Sequence, residues 1–430
     1  MKKTIVVSMI GLAALIITSC KKDSTVPVDP TPVDLTPKIT SISPTEGRFD
    51  SILTITGKNL SISGATEVKI AGVSTTLVSA NDSIVRVKIP SLLVSGGGTV
   101  DLTTSKGSVT GPSFKYLPDV YVIGTERNAQ SIDAPLIWRN GTAIAINTTS
   151  TEVGLTSIAL SGSDVYVSGN ELQTNGIQLP RIWRNQSLLS LSNSGNLGDY
   201  VQGIYVNGST VYASGNANTP TNMRAIMWSN GTPSSLTSAT NNSYCYNAVG
   251  SGSEVYIVGY DVSSQTVSPC YWKNGTRTNL SGQGSFGEAN NGIIVGTDVY
   301  FSGYTIANGV NIPCYWKNGV RTDLPYDANT GGAIAVGITV NGTDVYIGGY
   351  KYLPSGNTVP VYWKNGTLYN GSNSTNFSRA TEIAVCGTDV YLSGYESLGN
   401  YTAAMVWKNG VAIRQSAVGR HAFANDFAIR

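Results

Sequence analysis

The side chains able to do chemistry are few and scattered. The 430-residue chain contains one histidine, His421, which follows Arg420, and neither a Gly-x-Ser-x-Gly run nor a zinc-type Cys/His spacing accompanies it. A lone imidazole cannot assemble a histidine metal cluster and leaves most histidine-dependent acid–base catalysis without its base. Glycoside cleavage needs two carboxyls about 5 to 10 Å apart across the bond. The acids in candidate loops, Glu288, Asp327 and Glu396, cannot be paired from their spacing. Asp164, Asp298, Asp344 and Asp389 each precede a Val-Tyr pair. One carboxylate per turn falls short of the several oxygens calcium requires, so these aspartates are expected to cap backbone N–H groups. Four cysteines follow Cys20 (Cys245, Cys270, Cys314 and Cys386); Cys270 and Cys314 occupy equivalent positions on neighbouring units, too far apart for a bridge, and buried free thiols are the expected state. No catalytic residue, metal site or cofactor is therefore expected.

Recognition chemistry is better represented. Tyrosine occurs 23 times, and aromatic residues recur beside Asn, Gln and isolated charges. Rings that stack on sugar faces, with amides and charges to bond the hydroxyls, form the pattern of a glycan-binding surface. The candidates are Tyr260, Tyr304, Tyr350, Tyr395, Phe286, Tyr326, Phe377, Arg224 and Arg379, all expected on long loops. Such rings also serve to anchor loops, which is the competing role. A net charge of +2 with 13% charged residues provides no basic field for a phosphate backbone, so nucleic acid is not an expected partner.

The elements that must position these residues are legible from a repeat. A Val-Tyr pair with glycine three residues after the tyrosine recurs at Tyr121, Tyr166, Tyr212, Tyr256, Tyr300, Tyr346 and Tyr391, with spacings of 44 to 46. All seven tryptophans fall once per unit, at Trp138, Trp183, Trp228, Trp272, Trp316, Trp363 and Trp407. Six of them open a Trp-x-Asn-Gly run, with Asn185-Gln186 as the exception. A period of 40 to 50 residues with strand signals and one aromatic signature per unit predicts a β-propeller, and a side chain repeated in every blade meets a packing need. The Gly-Thr-Asp and Asn-Gly turns make two tight hairpins per unit, hence four-stranded blades whose long connections gather on the opposite face. The first strand of each unit reads as small and apolar. Unit one lacks that strand, and the final run Ala422–Arg430 supplies it, which predicts seven blades closed by the C-terminal strand.

Ahead of the repeats the chain has three parts. Residues 1–19 form a positively charged, then apolar, signal segment, too short for a spanning helix of about 20 residues. Ile17-Thr18-Ser19-Cys20 resembles a bacterial lipobox, which implies diacylglycerol on Cys20 and a membrane partner. The following Lys21-Lys22-Asp23 resembles in part a signal for export to the outer face of the outer membrane. Residues 20–37 are a Pro-rich spacer tending to extended polyproline II. Residues 38–117 alternate as short strands. Ile42-Ser43-Pro44 with Gly47, Ile55-Thr56-Gly57-Lys58-Asn59-Leu60, Ala71-Gly72-Val73 and Phe114-Lys115-Tyr116 resemble an IPT/TIG domain, which implies an immunoglobulin-like sandwich acting as a spacer. Residues 118–430 are the propeller. Its Trp272-Lys273-Asn274-Gly275 with Leu280 is similar to HAF-type extracellular repeats, although Val-Tyr-x-x-Gly departs from that pattern. The expectation is thus an all-β, lipid-anchored, non-catalytic outer-membrane protein that binds glycan. A protein-binding envelope scaffold is the alternative, and a polysaccharide-cleaving enzyme a third reading.

Overall fold

The computed structural model describes residues 33–430 apart from 62–65, 130, 149, 151, 195–196, 238–241, 264–265 and 281–285. The signal segment, Cys20 and most of the spacer lie outside the described residues. Among the described residues no helix is long and apolar enough to cross a membrane.

Alternation of apolar and polar residues shapes the first domain. A sheet of Lys38–Ser43, Ile52–Lys58, Ile84–Lys88 and Thr76–Ala80 faces a five-stranded sheet that includes Glu67–Ile70, Gly97–Thr104 and Gly107–Tyr116. Leu53, Ile55, Val85 and Val87 from one sheet meet Val68, Ile70, Val100 and Leu102 from the other in a sealed core.

Seven antiparallel four-stranded sheets follow. Blade 1 takes Val120–Arg127, Asp133–Arg139 and Thr142–Ala145 from its own unit and Ala422–Ile429 from the C-terminus. Blades 2 to 7 span residues 153–189, 199–235, 242–279, 286–323, 333–370 and 378–414. The closing strand pairs from Val120↔Ile429 to Glu126↔Ala422. Each blade's first strand packs on those of both neighbouring blades, and the closing strand packs on the first strands of blades 2 and 7, so the ring has no open edge.

The repeated residues explain the blade. In the Asn-Gly turns both residues have positive φ, for example 51° at Asn318 and 81° at Gly319, the type I′ geometry. The seven tryptophans are at most 1% exposed and fill the layers between blades. The asparagine after each tryptophan accepts a hydrogen bond from the valine N–H of the Val-Tyr pair in every blade. The repeated aspartates do not cap backbone N–H groups as expected. Asp164, Asp298, Asp344 and Asp389 instead accept the amide of that asparagine on one oxygen and pair with the intervening Arg or Lys on the other. The same cation lies over the repeated tyrosine ring, as Lys317 does over Tyr300 at 5.2 Å. The reason is geometric: the turn valine N–H is already taken, leaving the carboxylate to face the adjacent hairpin. Hydrogen bonds from Lys317 and Asn318 hold the Asp298 carboxyl below the ordinary carboxylate range.

The sandwich is more than a spacer in its packing. Its core runs continuously into blades 7 and 1 through Tyr116, Cys386, Tyr391, Val406 and Phe427. Gly387 N–H donates to the Leu93 carbonyl, and Arg48 reaches Asp119 and Asn140. Gly387 and Asn140 belong to tight turns, so the sandwich sits on the tight-turn face and leaves the long-loop face free.

Candidate functional site

The repeated glycine of Val-Tyr-x-x-Gly builds the centre of the ring. A Cβ at Gly259 would come within 1.9 Å of the Tyr244 carbonyl oxygen, and one at Gly303 within 2.1 Å of that of Glu288. The missing side chain lets the first strand of each blade press inward, and opposite it every first strand carries a β-bulge. The residue after the bulge is Asp426, Ser157, Gly203, Asn247, Asn291, Gly337 and Glu382 in blades 1 to 7. These seven surround the axis. Asn247 donates to Asn291, and Asn291 donates to Glu382 across blade 6, where Gly337 has no side chain to block it. Asp426 accepts from the Ser157 hydroxyl and Ile158 N–H at 3.0 Å each.

Two acids thus lie close together on blades 7 and 1. Burial, and then the charge of Asp426, push the Glu382 carboxyl well above its ordinary value. Burial also raises Asp426, to about 6, despite bonds from Ile158, Ser157 and Phe427 that favour its charged form. The expected small, apolar first strands are therefore corrected at this position. Three close amide and carboxyl neighbours satisfy one another around the axis, so polar side chains are accommodated there.

The long-loop face lies beyond the bulges. The residue after the repeated glycine is Thr125, Asn170, Asn216, Tyr260, Tyr304, Tyr350 and Tyr395 in blades 1 to 7, making one half of the face polar and the other aromatic. Tyr260 stacks on Tyr244 with centroids 4.8 Å apart, and Tyr246 donates to Glu288 at 2.8 Å. Burial and the Glu288 charge raise the phenols of Tyr246, Tyr260 and Tyr304. Arg379 lies 4.7 Å from the Tyr350 centroid and 5.2 Å from that of Phe377. Tyr395 continues the arc to Phe377 and Phe423.

On the polar half, blades 1 to 3 enclose a cleft of about 750 Å³. Gly154 leaves space where blades 3 and 4 have Tyr200 and Tyr244. Thr125, Glu152, Asn170, Gln178 and Tyr200 line it with Asp133, whose carboxylate pairs with Arg127 at 3.0 Å. The Asn170 amide bonds both the N–H and the carbonyl of Val201, so it clamps blade 3 to blade 2.

The expected loop placement needs correction residue by residue. Tyr260, Tyr304, Tyr350 and Tyr395 stand on second strands, where the long loops begin, because the strands extend past the bulge. Tyr350 is only 9% exposed and covered by Arg379, so it supports the site from beneath rather than offering a face. Phe286 is 45% exposed at the rim of blade 5, opposite Ile306. Tyr326 packs on the core between blades 5 and 6 as an anchor. Arg224 stands on the third strand of blade 3 opposite Ala217, outside the aromatic arc. Phe377, Arg379, Tyr350 and Tyr395 come together. Tyr244, Tyr246, Glu288 and Phe423 complete the arc, and Glu382 and Asp426 were not singled out. The variable column beside an invariant glycine was the signal that marked the second-strand half of the arc. His421 accepts from Thr402 N–H through Nδ1. Cys245, Cys270, Cys314 and Cys386 are free and buried. Among the described residues no three His, Cys, Asp or Glu side chains gather as a metal site.

Residues 37–116 match the IPT/TIG domain. No curated protein matches the chain. Similar solved structures include a protein of unknown function from Bacteroides thetaiotaomicron, 13% identical over 91% of this chain and 98% of its own, with a TM-score of 0.47. An auxiliary nutrient binding protein from Bacteroides ovatus is 12% identical over 72% of this chain and 94% of its own, TM-score 0.28. The β-propeller domain of the Trilobed protease from Pyrococcus furiosus is 8% identical over 78% and 97%, TM-score 0.41. The seven sheets and their closure establish the propeller independently of these likenesses.

Proposed function

We propose that the protein is a lipid-anchored envelope protein that binds glycan without cleaving it, through the long-loop face of the propeller. The carrying observation is the composition of that face: a cleft of about 750 Å³ with a mixed polar and apolar lining meets an aromatic arc, with Thr125 of the cleft opposite Phe423 of the arc. Clefts of this size suit an oligosaccharide, whose rings stack on aromatics and whose hydroxyls bond amides and carboxylates. The anchor reading rests on the lipobox-like Ile17-Thr18-Ser19-Cys20, and the resemblance to HAF-type extracellular repeats agrees with it. With the sandwich docked on the tight-turn face, the binding face points away from the domain nearest the lipid. The Phe286 and Ile306 pair, exposed at 45% and 42%, is the observation favouring a protein partner instead.

The test is a glycan array with product analysis on the full-length chain in detergent. Residues 118–430 alone are unsuitable, because removing the sandwich would bare the shared core at Val122 and Phe427. Binding without product release is expected. Released oligosaccharide would establish an enzyme, and no binding at all would overturn the glycan reading. For the anchor, Cys20→Ala should abolish fatty-acid incorporation and membrane association, and unchanged fractionation would refute it.

A further inference from the structure

Arg379 is the unusual charge of the long-loop face. Most arginines of the propeller have a carboxylate partner, such as Arg127 with Asp133, Arg181 with Glu171 and Arg277 with Asp261. Among the described residues Arg379 has no hydrogen bond and no ion pair, and its Nε is buried without a partner. Its guanidinium lies over both the Tyr350 and the Phe377 rings, on the first strand of blade 7, opposite Tyr395. The residue as a whole is half-buried, so part of its side chain remains at the surface.

Desolvating one edge of a cation without giving it a counter-ion costs free energy, and the two rings offset part of that cost. They also fix the plane of the guanidinium, so little freedom is lost when its outer fork engages a planar anion. A carboxylate fits that fork in two parallel hydrogen bonds. Tyr246 donates to the Glu288 carboxylate of the same arc, which leaves that carboxylate a further acceptor for a sugar hydroxyl.

We infer that Arg379 is a carboxylate-binding residue of the long-loop face, so that the glycan it takes carries uronic acid or another carboxyl-bearing sugar. This rests on the glycan reading above. The arc then divides the work: Arg379 holds the carboxylate, the exposed Phe423 and the half-buried Tyr395 stack on the sugar, and Glu288 accepts from a hydroxyl.

The experiment compares oligogalacturonate with its methyl ester, and alginate oligosaccharides with neutral xylo- and gluco-oligosaccharides, by calorimetry on the full-length chain and on R379Q and R379K. Charge-assisted bonds to one carboxylate predict a ten- to hundredfold loss on methyl esterification, and a similar loss for the acidic ligand alone in R379Q. R379K should bind at an intermediate level, because it keeps charge without the fork. Equal affinity for acid and ester, or an R379Q variant that weakens neutral and acidic ligands alike, overturns the assignment and leaves the glycan reading standing. Failure of every glycan to bind overturns both. Melting curves for the variants separate a loss of the ring–cation packing from a loss of ligand contact.

Discussion

Replacing Glu382 with glutamine should stabilise the protein increasingly as pH rises. Glu382 is half-buried on the axis beside Asp426, and both desolvation and the neighbouring charge favour its neutral form. Its folded pKa lies above the unfolded value of about 4.5. The folded chain therefore binds more protons than the unfolded one above pH 4.5, and wild-type stability falls as pH rises from there towards the folded pKa. The slope is at most about 1.4 kcal/mol per pH unit for one proton, so the stability of E382Q relative to wild type should rise by no more than that per unit from about pH 4.5 up to the folded pKa. Glutamine keeps the acceptor for Ile383 N–H but meets the Asn291 amide with a second donor, a pH-independent loss of about 1 kcal/mol. E382Q is thus expected to be slightly less stable than wild type at pH 4.5 and to gain on it as pH rises. Urea unfolding at half-unit steps from pH 4 to 7.5 measures the difference. Parallel curves would show that the axial acids titrate normally, and the reasoning from burial would fail.

Two further outcomes follow from packing. Phe427→Ala removes a ring that is 4% exposed at the junction of closing strand, blade 1 and sandwich, and should cost about 3–5 kcal/mol in denaturant unfolding. A loss below about 1 kcal/mol would mean the closing strand does not bear on stability. Burial pushes the Cys270 and Cys314 thiols up to about 12 and Cys386 to about 11. Iodoacetamide at pH 8 should leave all of these unlabelled in the native protein and label them after denaturation, as read by intact mass. Rapid native labelling of Cys314 would contradict its position inside blade 5.

The sequence determined everything set by a short-range period. Seven Val-Tyr pairs, seven tryptophans and the Asn-Gly turns specify hairpins and packing layers locally, because an I′ turn and a between-blade tryptophan answer to their own few residues. The closing strand was legible because unit one lacked an element that the last nine residues could supply. The IPT/TIG segment was legible for the same local reason, through alternating strands and their glycine turns. The placement of those units against one another was not legible. Asn291 and Glu382 are 91 residues apart and meet only because the ring brings blades 5 and 7 together over the empty side of Gly337. Tyr350 reads like Tyr395 in the repeat, yet one lies beneath Arg379 and the other remains part of the open arc. The sandwich likewise could have hung free, and its docking follows from apolar residues of both domains sharing one core. Local pattern fixed each strand's own form, whereas burial, charge and ligand contact depend on which strands closure brings together.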